Sequence, residues 1–166
     1  RIRCAVEDVE IPLQELPSVP EMETLVEQRT KALGEGVSPE RIESDHLVAY
    51  ARDVIAERQR PEEKRSRMIE MQAIALGDAA LVTTPGETFF EIGEAIRSGS
   101  PFAHTLVTGY TNGVIGYLPT AKAFEEGGYE PETSFRFYYG TYILAPGAER
   151  AVVDAGIRLA KHVWQD

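Results

Sequence analysis

A carboxylate follows a sharp bend near the middle of the chain, in the stretch LVTTPGETFFEIGEAI from Leu81 to Ile96. The apolar run before the bend is typical of a strand, and it ends at Pro85 and Gly86, directly before Glu87. One interpretation places Glu87 in the first turn of a helix, where the macrodipole favours an acid by about 0.3–1 kcal/mol. The other places its carboxylate beyond the carboxyl end of a strand, where open α/β sheets bind ligands.

Tyrosines and an asparagine cluster in a second, glycine-rich stretch, GYTNGVIGYLPTAKAFEEGGYE. Tyr110, Asn112, Tyr117 and Tyr129 lie around its glycines, a pattern typical of loops that carry functional side chains. On this interpretation the loops expose phenol and amide groups to a ligand. The alternative is that each ring is buried and only its hydroxyl reaches the surface.

These motifs carry a family resemblance. PGETFFEIGEAI, then VTGYTNGVIGYLPT, then an acidic stretch that ends in GGYE resemble the C-terminal half of the catalytic domain of the neutral/alkaline, non-lysosomal ceramidases. Their order and spacing match from about Met68 to Tyr129. Members of that family are zinc amidases that cleave the N-acyl bond of ceramide. The resemblance implies a zinc-dependent hydrolase of a ceramide-like or related amide, in an exported or cell-surface protein.

The resemblance also implies roles for individual residues. Glu87 matches the family's carboxylate zinc ligand, and Tyr117 matches its unusual tyrosine zinc ligand. Tyr129 matches a catalytic tyrosine that helps to hold the carbonyl oxygen of the scissile amide, and Asn112 in the same region is a candidate for substrate binding. Zinc lowers the pKa of a bound water towards 7, so that the hydroxide can attack an amide carbon. Tyr129, as a neutral donor, would stabilise the oxyanion.

Histidine ligands are missing from this pattern. In the family they lie in the N-terminal half, and His46, His104 and His162 are not spaced as a ligand pair such as i and i+4 on a helix. We therefore expect a preceding segment or a separate chain to supply the histidines and complete the site. Two rival interpretations stay open. One is a non-catalytic binding or structural module without a working metal centre, and the other is a metal-free pocket for a small molecule around the tyrosine loop.

The first half of the chain must position these groups through a strand, two helices and a hairpin. Apolar residues alternate from Val6 to Leu13, as in a strand that is entered midway, so we expect the chain to continue a longer protein. A helix is predicted from Pro20 to Leu33, and a longer one from the cap at Ser38 through Ile55. Two strands then turn at Gly77-Asp78 and lead into the bend.

The second half continues the alternation of helices and strands. Helices are predicted from Thr88 to about Ser98, from Ala121 to Glu126 and after Gly147, and strands at HTLVTGY and SFRFYYGTYIL. The aromatic residues of the last strand are expected in the core, with a lipid-binding groove as the alternative: Phe135, Phe137, Tyr138, Tyr139 and Tyr142. Together these elements predict an α/β fold, with a layered mixed β-sheet and flanking helices. We expect residues 1–166 to form a single domain or the C-terminal portion of a larger, two-part ceramidase-like catalytic domain.

Composition narrows the class of partner. The net charge of -10 argues against nucleic acid and anionic membrane surfaces, which attract clustered Lys and Arg. No apolar run approaches the roughly 18–20 residues of a membrane span. A single cysteine, Cys4, excludes an internal disulfide and is expected to be buried. The expected partners are therefore the completing segment and a lipid-like or small amide substrate.

Overall fold

Strands and helices alternate along the computed structural model, which describes residues 1–61, 65–138 and 141–165. The strands are β1 (Ile2–Pro12), β2 (Ser66–Leu76), β3 (Ala79–Thr83), β4 (Glu87–Thr88), β5 (His104–Thr108) and β6 (Tyr117–Leu118). The helices are α1 (Val19–Leu33), α2 (Pro39–Glu43), α3 (His46–Arg58), α4 (Phe90–Gly99), α5 (Ala121–Glu126), α6 (Tyr129–Glu132), α7 (Phe135–Tyr138) and α8 (Ala148–Gln165). None of the helices in the described ranges has the length and apolar character needed to cross a membrane.

Four strands form a mixed sheet in the order β1-β2-β3-β5. β1 pairs antiparallel with β2 along its whole length, from Ile2 opposite Leu76 to Pro12 opposite Ser66. β2 and β3 form the predicted hairpin, and β3 pairs in parallel with β5. The predicted α/β class and mixed sheet are confirmed. Because β3 and β5 are parallel, the segments that leave their carboxyl ends start from the same edge of the sheet.

Helices cover one face of this sheet. α8 contacts β1, β2, β3 and α4, and α4 also contacts β5. On each long strand alternate residues point towards these helices, which accounts for the burial of every second side chain. The largest fully buried apolar side chains of this core are Ile11, Met71, Val82, Ile92, Ile96, Leu118, Val152 and Val163.

The opposite face of the sheet is exposed and mixed, with acids such as Asp8 and Glu70 beside apolar side chains. Its exposed side chains include Ile2, Val6, Met68, Leu76 and Leu106. Cys4 lies on this face and is exposed, so the expectation that it is buried was wrong. The reason is the register of β1, in which odd-numbered residues such as Val9 and Ile11 point to the core and even-numbered ones point away.

The predicted long helix from Ser38 through Ile55 is two helices. α2 ends at Glu43, and Asp45 caps α3, where its Oδ1 accepts from the N–H groups of Leu47 and Val48 at 3.1 and 3.3 Å. Asp45 is also paired with Arg29 of α1 at 2.7 Å. A cap residue adopts an extended backbone, so satisfying the N-terminal N–H groups of α3 at Asp45 interrupts the helix.

The described residues of the predicted strand SFRFYYGTYIL are largely helix and loop. α7 occupies Phe135–Tyr138, and Leu144 keeps a single antiparallel bridge, to Leu13. The turn is closed locally, because the hydroxyl of buried Ser134 donates to the carbonyl of Glu130 at 2.7 Å. A short apolar run is compatible with either structure, and local hydrogen bonding selects the turn here.

The aromatic residues of this segment therefore do not share one strand face. Phe135 packs beside Tyr50 in a second apolar cluster between α1 and α3. Phe137 is 39% exposed and stacks on His46, whereas the Tyr142 ring lies 4.5 Å from the guanidinium of Arg67. The prediction of a core position is therefore correct for Phe135 and wrong for Phe137. The Tyr138 side chain and Tyr139 lie outside the described residues.

Candidate functional site

Glu87 lies in a short strand rather than in a helix. α4 begins at Phe90, so Glu87 is not in its first turn, and the simpler of the two interpretations of Glu87 was wrong. β4 pairs in parallel with β6, and the register places Glu87 opposite Tyr117. The N–H of Glu87 donates to the Gly116 carbonyl at 2.8 Å. Backbone pairing thus brings together two residues that the sequence separates by a strand, a helix and a loop.

Glycines allow the bend and the tyrosine loop to pack backbone against backbone. A Cβ on Gly109 would lie 2.5 Å from the carbonyl oxygen of Gly86, and one on Gly86 would lie 2.9 Å from the carbonyl oxygen of Gly116. Both distances are too short for any side chain. Three backbone hydrogen bonds join the two segments. The N–H groups of Tyr110, Thr111 and Ile115 donate to the carbonyl oxygens of Gly86, Thr84 and Pro85, at 3.1, 3.0 and 2.9 Å respectively.

Two phenols meet the Glu87 carboxylate, which is half-buried. The Tyr110 hydroxyl donates to Glu87 Oε2. Tyr117 is hydrogen-bonded to the same carboxylate, and its pKa is raised, first by desolvation and then by the charge of Glu87 and that hydrogen bond. Tyr117 is consequently a neutral donor at pH 7. A cation bound beside Glu87 would reverse the electrostatic part of this effect, since positive charge favours the phenolate.

Tyr129 is brought to the same place by α6. Its ring lies edge-on to Tyr117, with the centroids 6.1 Å apart and an interplanar angle of 79°. The centroids of the Tyr129 and Phe137 rings lie 6.2 Å apart. Tyr129 is 42% exposed. Three of the four predicted site residues, Glu87, Tyr117 and Tyr129, are therefore neighbours.

Asn112 points elsewhere in the structure. Its Nδ2 donates to Glu70 Oε1 at 2.7 Å, on the exposed face of β2. Its backbone is left-handed, with φ of 59°, which asparagine tolerates better than most residues. The substrate-binding role of Asn112 stays a prediction. The residue of this loop that contacts Glu87 is Tyr110, for which no role was predicted.

A crevice adjoins Tyr117, and a groove lies beyond it. The crevice is narrow and lies between Tyr117, Ile115, Phe124, Pro131 and other residues of the loop and α6. An open groove of about 710 Å³ shares Phe124 and Pro131 with it. The groove has a mixed apolar and polar lining, and the crevice separates it from Tyr117.

Comparisons with known proteins gave matches in structure only. No protein-family model matches the sequence, and no curated protein matches it. Among solved structures, neutral ceramidase from Pseudomonas aeruginosa matches 96% of this chain with a TM-score of 0.54 and 15% identity. A structure described as ceramidase complexed with C2 matches 99% with a TM-score of 0.53 and 13% identity.

The chain has a ceramidase-like fold. It spans 28% and 30% of the two ceramidase chains, less than a third of their length. At these identities the likeness shows the fold and does not transfer residue roles.

The donors of this site suit zinc in part. Zinc is commonly held in catalytic sites by three protein ligands, with a fourth position for water. Glu87 and Tyr117 present two oxygen donors side by side. Within the described part of the chain, no three His, Cys, Asp or Glu side chains are grouped so as to hold a metal ion. His104 begins β5, at the end of the sheet opposite to the site, and His162 lies in α8. His46 stacks on Phe137 with the ring centroids 4.4 Å apart. A zinc site at Glu87 would need ligands beyond these.

Proposed function

We propose that this chain supplies part of the active site of a zinc-dependent hydrolase of the neutral ceramidase type, which cleaves the amide (N-acyl) bond of a ceramide-like or related substrate. One observation supports this most directly: β4 and β6 pair so that Glu87 lies beside Tyr117, with Tyr129 edge-on to Tyr117. This cluster follows the carboxyl ends of two parallel strands, where α/β proteins place their ligands.

In this proposal Glu87 and Tyr117 hold the metal together with ligands from another segment. Zinc, when bound, would polarise the carbonyl of the substrate and lower the pKa of a bound water. Glu87 keeps the Tyr117 hydroxyl in place through their hydrogen bond. Tyr129, which is part-exposed beside Tyr117, donates its hydroxyl to the carbonyl oxygen of the amide and stabilises the charge that develops there.

The missing ligands would come from a preceding segment or a separate chain. The exposed apolar side chains on the open face of the sheet, which include Ile2, Val6 and Leu76, support such a partner, because exposed apolar patches are typical of contact sites. The open groove, which shares Phe124 and Pro131 with the crevice at Tyr117, supports a lipid-like or otherwise extended substrate. A cluster of acids and phenols, on a chain with a net charge of -10, does not favour nucleic acid.

The test is zinc content and affinity in the complete protein, with the completing segment present. We expect about one zinc per molecule, lost in Glu87→Ala and weakened in Tyr117→Phe by at least about 10-fold. Glu125→Ala, which removes an exposed acid of α5, is the matched control and should keep its zinc. The proposal is wrong if Glu87→Ala leaves both zinc content and amidase activity unchanged.

A second candidate is a non-catalytic binding module. It is favoured by the hydrogen bonds of the Glu87 carboxylate to Tyr110 and Tyr117, which satisfy the carboxylate without a metal. In that case the complete protein would bind a substrate analogue with equal affinity in the presence and absence of a zinc chelator. Calorimetric titration with a short-chain N-acyl amphiphile under both conditions separates the two functions.

A further inference from the structure

Tyr110 combines two features that set it apart from the other tyrosines in the described chain. Its hydroxyl donates to Glu87 Oε2, across 23 positions of sequence. Its backbone is left-handed, with φ of 55°. A bulky residue rarely adopts this conformation, because its Cβ is crowded there, and such residues cluster at functional positions.

The surrounding backbone holds Tyr110 in this conformation. Gly109 directly before it has no room for a side chain, since a Cβ would lie 2.5 Å from the Gly86 carbonyl oxygen. The N–H of Tyr110 itself donates to that oxygen at 3.1 Å, and the N–H of Thr111 directly after it donates to Thr84 at 3.0 Å. Tyr110 is therefore anchored on both sides to the bend that carries Glu87.

The geometry has a mechanical consequence. Both partners of the Tyr110–Glu87 hydrogen bond are attached to the same stretch of backbone, residues 84–86. Tyr110 is attached by the backbone hydrogen bonds described above, and Glu87 follows Gly86 directly in the chain. From this left-handed position the hydroxyl of Tyr110 reaches Glu87. The carboxylate is thereby held at Oε2, while Tyr117 contacts it from the neighbouring strand β6.

We propose that Tyr110 is a positioning residue, whose hydroxyl orients the Glu87 carboxylate for metal binding. This inference rests on the function proposed above and extends it to a residue outside the set of ligand and substrate contacts. Carboxylates that bind metals are generally hydrogen-bonded by a second group, and removal of that group weakens metal binding by about 10–100-fold. Tyr110 makes this contact from the carboxylate's own bend, so the orientation exists before a ligand arrives.

Tyr110→Phe is the critical variant, because it keeps the ring and its packing and removes only the hydroxyl. In the complete protein we expect a zinc dissociation constant at least about 10-fold higher, measured by competition with a chromogenic chelator. At saturating zinc the metal content should return to that of the unchanged protein. Tyr50→Phe, which removes a buried hydroxyl in the second apolar cluster, is the matched control and should keep its zinc affinity. A melting curve of each variant confirms that it is folded.

Glu87→Ala, measured alongside, separates the two proposals. Loss of zinc in Glu87→Ala together with an unchanged zinc dissociation constant in Tyr110→Phe would overturn the positioning role and leave the metal site standing. Zinc retained in Glu87→Ala would overturn the metal site and the positioning role together. Loss in the first variant and weakening in the second is the result that supports both.

Discussion

Two carboxylates, each at a junction between elements, have opposite surroundings. Asp45, at the start of α3, is paired with Arg29 at 2.7 Å and accepts two backbone N–H groups. The hydrogen bond from Arg29 is the main reason that the pKa of Asp45 falls to about 2. For Glu87, the partners that the described chain provides are the phenols of Tyr110 and Tyr117. Asp45 is matched by a cation, and Glu87 is matched by neutral donors.

This difference separates a carboxylate that stabilises the fold from one that is proposed to hold a metal. The charge of Asp45 is paired with that of Arg29, and its side chain is only 8% exposed. Glu87 is half-buried and accepts a hydrogen bond from the phenol of Tyr110. A bound cation would complete the Glu87 cluster and has no place beside Asp45.

The largest effect that the comparison predicts is on turnover. Tyr129→Phe should lower kcat by about 100-fold or more in the complete protein, because one donor to the developing oxyanion is lost. The zinc content should not change, since Tyr129 is assigned to the substrate and not to the metal. Steady-state kinetics on an N-acyl substrate and elemental analysis of the same sample measure the two quantities. A parallel loss of zinc would instead make Tyr129 part of the metal site.

A smaller effect is expected on stability, and only at Asp45. Asp45→Ala removes the cap of α3 and the partner of Arg29, and we expect a loss of about 1–2 kcal/mol in the free energy of unfolding. Glu87→Ala serves as the comparison and should change this free energy by less than about 0.5 kcal/mol, because the exposed Tyr110 hydroxyl can donate to water once the carboxylate is removed. Urea denaturation of both variants measures the difference. Equal destabilisation would remove the distinction between the two carboxylates.

The smallest effect is the pH dependence of the Asp45 contribution. The pKa of Asp45 is lowered from 3.8 to about 2 in the folded protein, so its stabilisation is present above pH 3.8 and is lost as the pH falls through 2. Asp45→Asn keeps an oxygen for the cap and removes the charge. The difference in free energy of unfolding between the unchanged protein and Asp45→Asn should therefore shrink as the pH is lowered from 5 to 2. A difference that stays constant would mean that the charge is not stabilising.

Much of the fold was predictable because its signals are local. The turn at Gly77-Asp78 lies between two runs of strand-forming residues, and Gly77 has the positive φ, 63°, that such a turn requires. α5 occupies the predicted residues, with the Thr120 side chain accepting from Ala123 N–H at its start. In each of these elements the residues that determine the structure are adjacent in the chain.

The errors arose where a distant residue decides. Ser38 and Pro39 correctly marked the start of a helix, but the break at Asp45 depends on Arg29 of α1 as well as on the local cap. The aromatic alternation after Ser134 was interpreted as a strand, yet those rings pack against Tyr50 and His46 on α3. Neither contact can be inferred from the spacing of nearby residues.

The candidate site divides in the same way. Residue types, with a family resemblance, were sufficient to select Glu87, Tyr117 and Tyr129 as candidates, but the short elements that carry them, β4, β6 and α6, were not predicted. Only the tertiary structure decided that Glu87 lies opposite Tyr117, that Asn112 contacts Glu70 and that Tyr110 reaches the carboxylate. The physical reason is that these contacts depend on the parallel pairing of two-residue strands and on a left-handed turn at a tyrosine. Both are unfavourable in isolation, and they persist because backbone hydrogen bonds between distant segments stabilise them.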